Sequence, residues 1–194
     1  MKKEVWIGDK AKSPTRRGFL GALAAGSALG VLGACTVTTN GSVTTITLNV
    51  AKVKAYGQAG LDAVSTVLDI AAVASAIGGP AVAAINVASA VLSASLNAFT
   101  AAAGSSLEVS YDNTSMKTRI DSVLADLKKV AAALGAGVDG AKTKVSSSIL
   151  SNVSVAIGSL DTIISVFEGL LGVVSARRAT MSEAQALRNL GVAA

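Results

Sequence analysis

The sequence predicts an all-α protein, an antiparallel four-helix bundle, and three features carry that expectation. Apolar residues recur at helical spacing in four long stretches. Glycine- or proline-bearing breaks separate the stretches closely enough for antiparallel neighbours. The apolar mass is aliphatic: 51 % of the 194 residues are hydrophobic but only 3 % are aromatic, so the helices must approach closely on small side chains. The chain divides into a leader over 1–34, a Thr-rich segment over 35–48 and a helical domain over 49–194.

Residues 1–17 hold six basic and two acidic side chains, and 18–34 hold none. A basic start, a short apolar run and small residues before a cleavage point describe an export signal. Within it, Ser13-Pro14-Thr15-Arg16-Arg17-Gly18-Phe19-Leu20 resembles the bacterial twin-arginine (Tat) signal, with Phe19 and Leu20 at the expected offsets from Arg16 and Arg17. The lysine often found next is replaced by Gly21. Leu32-Gly33-Ala34-Cys35 resembles a bacterial lipobox, the site of signal peptidase II. That resemblance makes Cys35, the chain's one cysteine, the lipidated residue and new N-terminus. It implies the Tat translocase and signal peptidase II as partners during export, and the membrane as partner afterwards. Acyl chains contribute roughly 0.8 kcal/mol per buried CH₂, so two or three would hold the protein permanently. Thr36 stands where enterobacterial lipoproteins retained at the inner membrane carry Asp, which points to the outer membrane, facing the periplasm.

Removing the leader changes the electrostatics. It takes six of 17 basic and two of 12 acidic residues, leaving 11 against 10. The remaining basic pairs, such as Lys128-Lys129 and Arg177-Arg178, stand among acids and read as solvated faces. Nucleic acid, which needs clustered Lys and Arg, is not the expected partner.

Residues 36–48, TVTTNGSVTTITL, place Asn40-Gly41 between β-branched runs, a strong hairpin signal. A lone hairpin is marginal in water, so an extended tether is the equal alternative. A third β-like run, Leu107-Glu108-Val109-Ser110-Tyr111, is available to pair with 43–47.

The first helix is expected over 49–76, with Val50, Val53, Leu61, Val64, Leu68 and Ala71 on its apolar face, ending at Gly78-Gly79-Pro80. The second covers 81–103 and buries Val82, Ile85, Leu92, Leu96 and Phe99. Asp112-Asn113-Thr114-Ser115 offers caps for the third, whose face is Ile120, Val123, Leu124, Leu127, Val130 and Leu134. The three glycines of 135–140 predict a turn. The fourth helix is expected from about 142 to 176, through Val145, Ile149, Val153, Ile157, Leu160, Ile164, Phe167, Leu171 and Val174. Ser182 caps a short closing helix over 181–190.

Residues 70–107 contain no charged side chain. Two readings of this stretch stand: central helices covered by the rest of a soluble bundle, or a membrane-inserting hairpin of the holin or pore-forming kind. Against insertion, the stretch is dotted with Ser and Asn, and its first arm falls short of the roughly 20 residues a span needs.

Catalytic chemistry is largely excluded. The chain has no His, hence no imidazole base, no His metal ligand and no Ser-His-Asp triad. One cysteine makes neither a zinc site nor a redox pair. Asp161 and Glu168 lie two turns apart, but amid ordinary surface residues. Gly135-Ala136-Gly137-Val138-Asp139-Gly140 matches a dinucleotide-binding pattern formally, yet it follows a helix rather than a strand. No enzyme, no metal and no cofactor is expected. The sequence therefore predicts a lipid-anchored envelope protein with a structural or binding role, self-associating or bound to an envelope protein; the alternative is a membrane-active protein that inserts 70–107.

Overall fold

A computed structural model describes residues 35–40, 43–172 and 181–192. The fold is mostly helical, with six helices and a small three-stranded antiparallel sheet among the described residues. The sheet comprises β1 (Cys35–Asn40), β2 (Val43–Asn49) and β3 (Glu108–Ser110) in the order β1-β2-β3. The helices are α1 (Val50–Leu68), α2 (Ala71–Ile77), α3 (Gly79–Ala103), α4 (Thr114–Ala141), α5 (Ser147–Leu170) and α6 (Glu183–Asn189).

The Thr-rich segment is a hairpin rather than a tether. Its two strands pair from Cys35 opposite Leu48 to Asn40 opposite Val43. The third strand pairs further along than expected, Glu108–Ser110 against Thr47–Asn49, and Tyr111 N–H donates to the Ile46 carbonyl at 2.8 Å. That shift buries Leu48 and Val109, the apolar pair in register. It also gives the hairpin the third strand that a stable sheet needs.

Helix starts follow the polar residues foreseen for them. Asn113 accepts from Ser115 and Met116 N–H at 3.0 and 3.2 Å, and Ser182 from Gln185 N–H at 3.3 Å. Asn49 caps α1 by accepting from Lys52 N–H at 3.2 Å. Each such cap contributes roughly 1 kcal/mol.

Three expected boundaries are wrong. The first helix does not run to 76: it stops at Leu68, and α2 leaves at 90° to α1. Ile70 is extended there, with its carbonyl accepting from Val73 and Ala74 N–H. The bend lays α2 against α4, where Val73 is fully buried and Ile77 packs on the core. Nor do the glycines of 135–140 make a turn; α4 continues through them to Ala141. At Gly137 the helices approach closely: a Cβ there would stand 3.2 Å from Ile85 and 3.3 Å from Ile77, so their side-chain ends would have to give by a few tenths of an ångström. Each helical glycine costs about 1 kcal/mol relative to Ala, and burial of Leu134, Val138 and Ala141 along the same turns offsets it. The fourth long helix begins at Ser147, five residues later than expected. Its proposed end over 173–176 lies outside the described residues.

The core runs between α1, α3, α4 and α5. All six residues expected on the face of α4 are buried. Of the face expected for the first helix, Val50, Val53 and Val64 are buried and Leu61 and Leu68 half-buried, while Ala71, which falls in α2, is exposed. Tyr56, Ala59, Ala63 and Val67 are fully buried beside them. Tyr56 packs on Phe167 of α5 with ring centres 5.3 Å apart. Its hydroxyl donates to Glu183 Oε1 at 2.9 Å, and Lys52 Nζ reaches the same oxygen at 2.9 Å. Two α1 side chains thus hold α6. Glu168, expected on a wet face, is buried and ion-paired with Lys128 of α4, so it is committed to a structural contact.

Helices α1, α3 and α4 meet at Gly60. A Cβ there would collide with Leu127 and stand 2.7 Å from Leu92. Gly60→Val should therefore destabilise the fold by about 1–3 kcal/mol, read as a lower urea midpoint at unchanged slope.

Candidate functional site

Cys35 is the first residue of β1, and its backbone is already in register with Leu48. No spacer separates it from the sheet. Arg16, Arg17, Phe19, Leu20, Leu32, Gly33 and Ala34 lie outside the described residues. The side chains of β1 that are described, Thr36, Val37 and Thr38, are all exposed.

A polar clamp at the far end of the sheet ties it to the start of α4. Tyr111 O–H donates to Asp121 Oδ1 at 2.5 Å, while Lys117 Nζ donates to the Tyr111 oxygen at 2.7 Å and to Asp121 Oδ2 at 2.8 Å. The ammonium also stands 4.3 Å from the centre of the Tyr111 ring. Burial first, and then the bond to Asp121, raise the Tyr111 pKa above its ordinary value. The bond to Asp121 raises Lys117 well above its own.

Helix α3 is the chief departure from expectation. Lacking charge, it is expected as a central helix covered by the rest of the bundle; it is among the least covered. Only Ile85, Leu92, Phe99 and Ala103 are buried along its 25 residues. The first three stand seven apart, one narrow seam along the helix. Leu96 and Val82, expected in the core, are half-buried. Leu96 lies close over α1, where a Cβ at Gly57 would stand 2.7 Å from its Cδ1. The opposite face carries Ala83, Val87, Ala90, Val91, Ala94 and Ala101, all exposed, with Val87 at 64 %. Exposure is tolerable because most of this face is alanine, which forms helix well and presents little apolar area.

Two polar contacts fix α3 onto α4. Ser95 Oγ donates to Asp126 Oδ2 at 2.5 Å; Asp126 is buried and also accepts from Lys129 Nζ at 2.8 Å. Arg119 Nη1 donates to the Ala98 carbonyl at 3.3 Å. Beside them runs a groove of about 390 Å³ lined by Ser95, Ala98, Ser115, Thr118, Arg119 and Ser122. Sequence reading missed this groove. The one available signal was the row of hydroxyl and guanidinium groups at 115, 118, 119 and 122, which three- and four-residue steps place on one helix face.

No family model, curated protein or solved structure matches the chain.

Two expectations follow. Leu92→Asp should unfold the protein, since an unpaired buried charge costs several kcal/mol, whereas Asn97→Asp on the exposed face should leave the melting curve within about 0.5 kcal/mol of the parent; circular dichroism against temperature distinguishes them. The clamp gives a pH dependence. Both raised pKa values mean that the folded state holds its protons more tightly than the unfolded chain. The stability this contributes is complete below about pH 10, where unfolded Tyr and Lys titrate, and is lost as pH rises through the folded values. The urea midpoint should fall above about pH 10, and Tyr111→Phe should flatten that fall while costing about 1 kcal/mol at neutral pH.

Proposed function

We propose that the mature chain, beginning at Cys35, is a non-enzymatic lipoprotein of a bacterial envelope. Its α1, α3, α4 and α5 form an antiparallel four-helix bundle on the periplasmic side that binds an envelope component, or a second copy of itself, through the uncharged face of α3. The leader over 1–34 sends it through the Tat translocase, and signal peptidase II releases it at Cys35, most consistently to the outer membrane given Thr36. The observation that carries this reading is the position of the chain's one cysteine. It closes the Leu32-Gly33-Ala34 pattern and opens β1. A lipidated residue there sits directly on a hydrogen-bonded sheet, so the body is held against the bilayer rather than on a long leash.

A second reading is favoured by α3 itself. Helices Gly79–Ala103 and Ser147–Leu170 are long and apolar enough to cross a membrane, and α3, about 37 Å long at 1.5 Å per residue, faces outward along much of its surface. A membrane-active protein would move the 70–107 hairpin from the body into lipid.

Three measurements test these readings. Cys35→Ala should abolish labelling by radioactive palmitate, and the mature N-terminus should carry a diacylglyceryl cysteine by mass spectrometry; an unmodified Cys35, or a start elsewhere, rules the anchor out. Arg16→Lys with Arg17→Lys should leave the precursor uncleaved, while normal processing in a strain without the Tat translocase would transfer the protein to general secretion. A chain beginning at Thr36 should be monodisperse, strongly helical and harmless to dye-loaded liposomes. Dye release would favour the second reading instead.

A further inference from the structure

Arg119 is the odd residue of the α3–α4 contact. Its Nε is buried with no hydrogen-bond partner, and none of the ion pairs among the described residues involves it. A buried unsatisfied donor costs about 1–3 kcal/mol, more when it belongs to a charged group. Its one bond, from Nη1 to Ala98, goes at 3.3 Å to a carbonyl within a helix. The buried Nε is itself beyond a ligand's reach; what the guanidinium offers the groove it lines is its partly exposed Nη atoms, whose one bond is the long one to Ala98.

The rest of that groove is specific in what it offers. Three of its hydroxyls already donate elsewhere: Ser95 to Asp126 at 2.5 Å, Thr118 to the Thr114 carbonyl at 2.9 Å, and Ser122 to the Thr118 carbonyl at 2.9 Å. Each keeps lone pairs and therefore presents an acceptor. Ser115, in the first turn of α4, has a hydroxyl with no partner among the described residues. The wall thus supplies two donor groups, Arg119 and Ser115, and three acceptors. The first turn of α4 contains no acidic residue, so the positive end of a 28-residue helix adds to the guanidinium. Asp126, beyond Ser95, is neutralised by Lys129 but still disfavours a doubly charged ligand.

One negative charge, with hydroxyls on its carrier, fits that inventory. We propose that the α3–α4 groove binds a glycerol phosphodiester. The phosphodiester oxygens accept from Arg119 and Ser115, and the two free hydroxyls of its glycerol donate to two of the three acceptors Ser95, Thr118 and Ser122. The same group occurs as a phospholipid headgroup and free in solution. Ala98, which lines the groove, lies on α3 beside the uncharged face, so a lipid held there by its head has an apolar surface next to it. The site does not depend on lipidation of Cys35, and failure of either leaves the other standing.

The test uses the full chain in neutral detergent. Glycerophosphoglycerol is titrated in by calorimetry, and phosphatidylglycerol or phosphatidylcholine is added before native mass spectrometry. Saturable one-to-one binding of the free headgroup is expected, with one phosphatidylglycerol retained in preference to phosphatidylcholine. Arg119→Gln should weaken both by roughly tenfold or more, the size of one charge-assisted hydrogen bond. Ser115→Ala, at an exposed position, should weaken them about two- to fivefold, and it decides the matter if Arg119→Gln does not fold. Retention of the lipid without the free headgroup would assign the site to membrane lipid, still through Arg119. Binding of neither probe, equal retention of both lipids, or affinities unchanged in the folded variants would overturn the proposal.

Discussion

Close helix approach is the constraint on which this protein depends. A chain with 3 % aromatic residues cannot fill wide gaps between helices, because alanine and valine do not reach across them. The helices must come together until small side chains touch, and glycine is what allows it. Gly57 and Gly60 on α1 receive Leu96 and Leu92 of α3, Gly60 also receives Leu127 of α4, and Gly137 on α4 receives Ile77 and Ile85. Of the four aromatic side chains among the described residues, Tyr56, Phe99 and Phe167 are completely buried. Interiors pack near crystal density whatever their composition; here that density comes from short interhelical distances rather than from large side chains.

The same constraint explains where the sequence could be read and where it could not. Local chemistry was legible. Asn113 and Ser182 announce helix starts because a side-chain oxygen can satisfy an orphan N–H whatever the tertiary setting, and the face of α4 follows directly from its period. Glycine was misread over 135–140 because its two roles, turn and close contact, look alike until a neighbouring helix is placed. The bend at Ile70 was invisible for a similar reason. No Gly or Pro marks it, and it exists because Val73 and Ile77 bury better against α4 than they would on a straight extension. The narrow seam of α3 was legible as periodicity, through Ile85, Leu92 and Phe99. Its lack of cover was not, since periodicity tells which face is buried but not how much of the helix goes with it. The groove was hidden because it needs α3 and α4 side by side, and hydroxyl residues alone say nothing.

The distribution of charge gives the body two unlike sides. The five ion pairs among the described residues join α1 to α6 and α4 to α5, or lie within α4 and its C-cap residue Lys142. Helix α3 contributes to none and contains no charged residue. Surface pairs stabilise weakly, so their meaning lies more in solubility and orientation than in strength. The charged helices keep their partners in water, and α3 presents alanine and valine along nearly its whole length. A protein free in solution gains nothing from such asymmetry, whereas one held beside a bilayer or a partner has a fixed direction in which a neutral face is useful.

Attachment at Cys35 would supply that direction. A long flexible tether lets a body tumble and sample every orientation, and its closure cost grows only slowly with length. Here the residue at the anchor position is hydrogen-bonded into the sheet opposite Leu48, and β2 runs directly into α1, with Asn49 ending the strand and capping the helix. The Tyr111–Lys117–Asp121 clamp ties the neighbouring strand end to α4. Motion of such an anchor would pass to two of the long helices through hydrogen bonds rather than through slack chain. The sheet, too small to fold alone, would then turn a point attachment into an oriented one, and an oriented body would bring the neutral face of α3 and the proposed Arg119 groove beside it to the same surface every time.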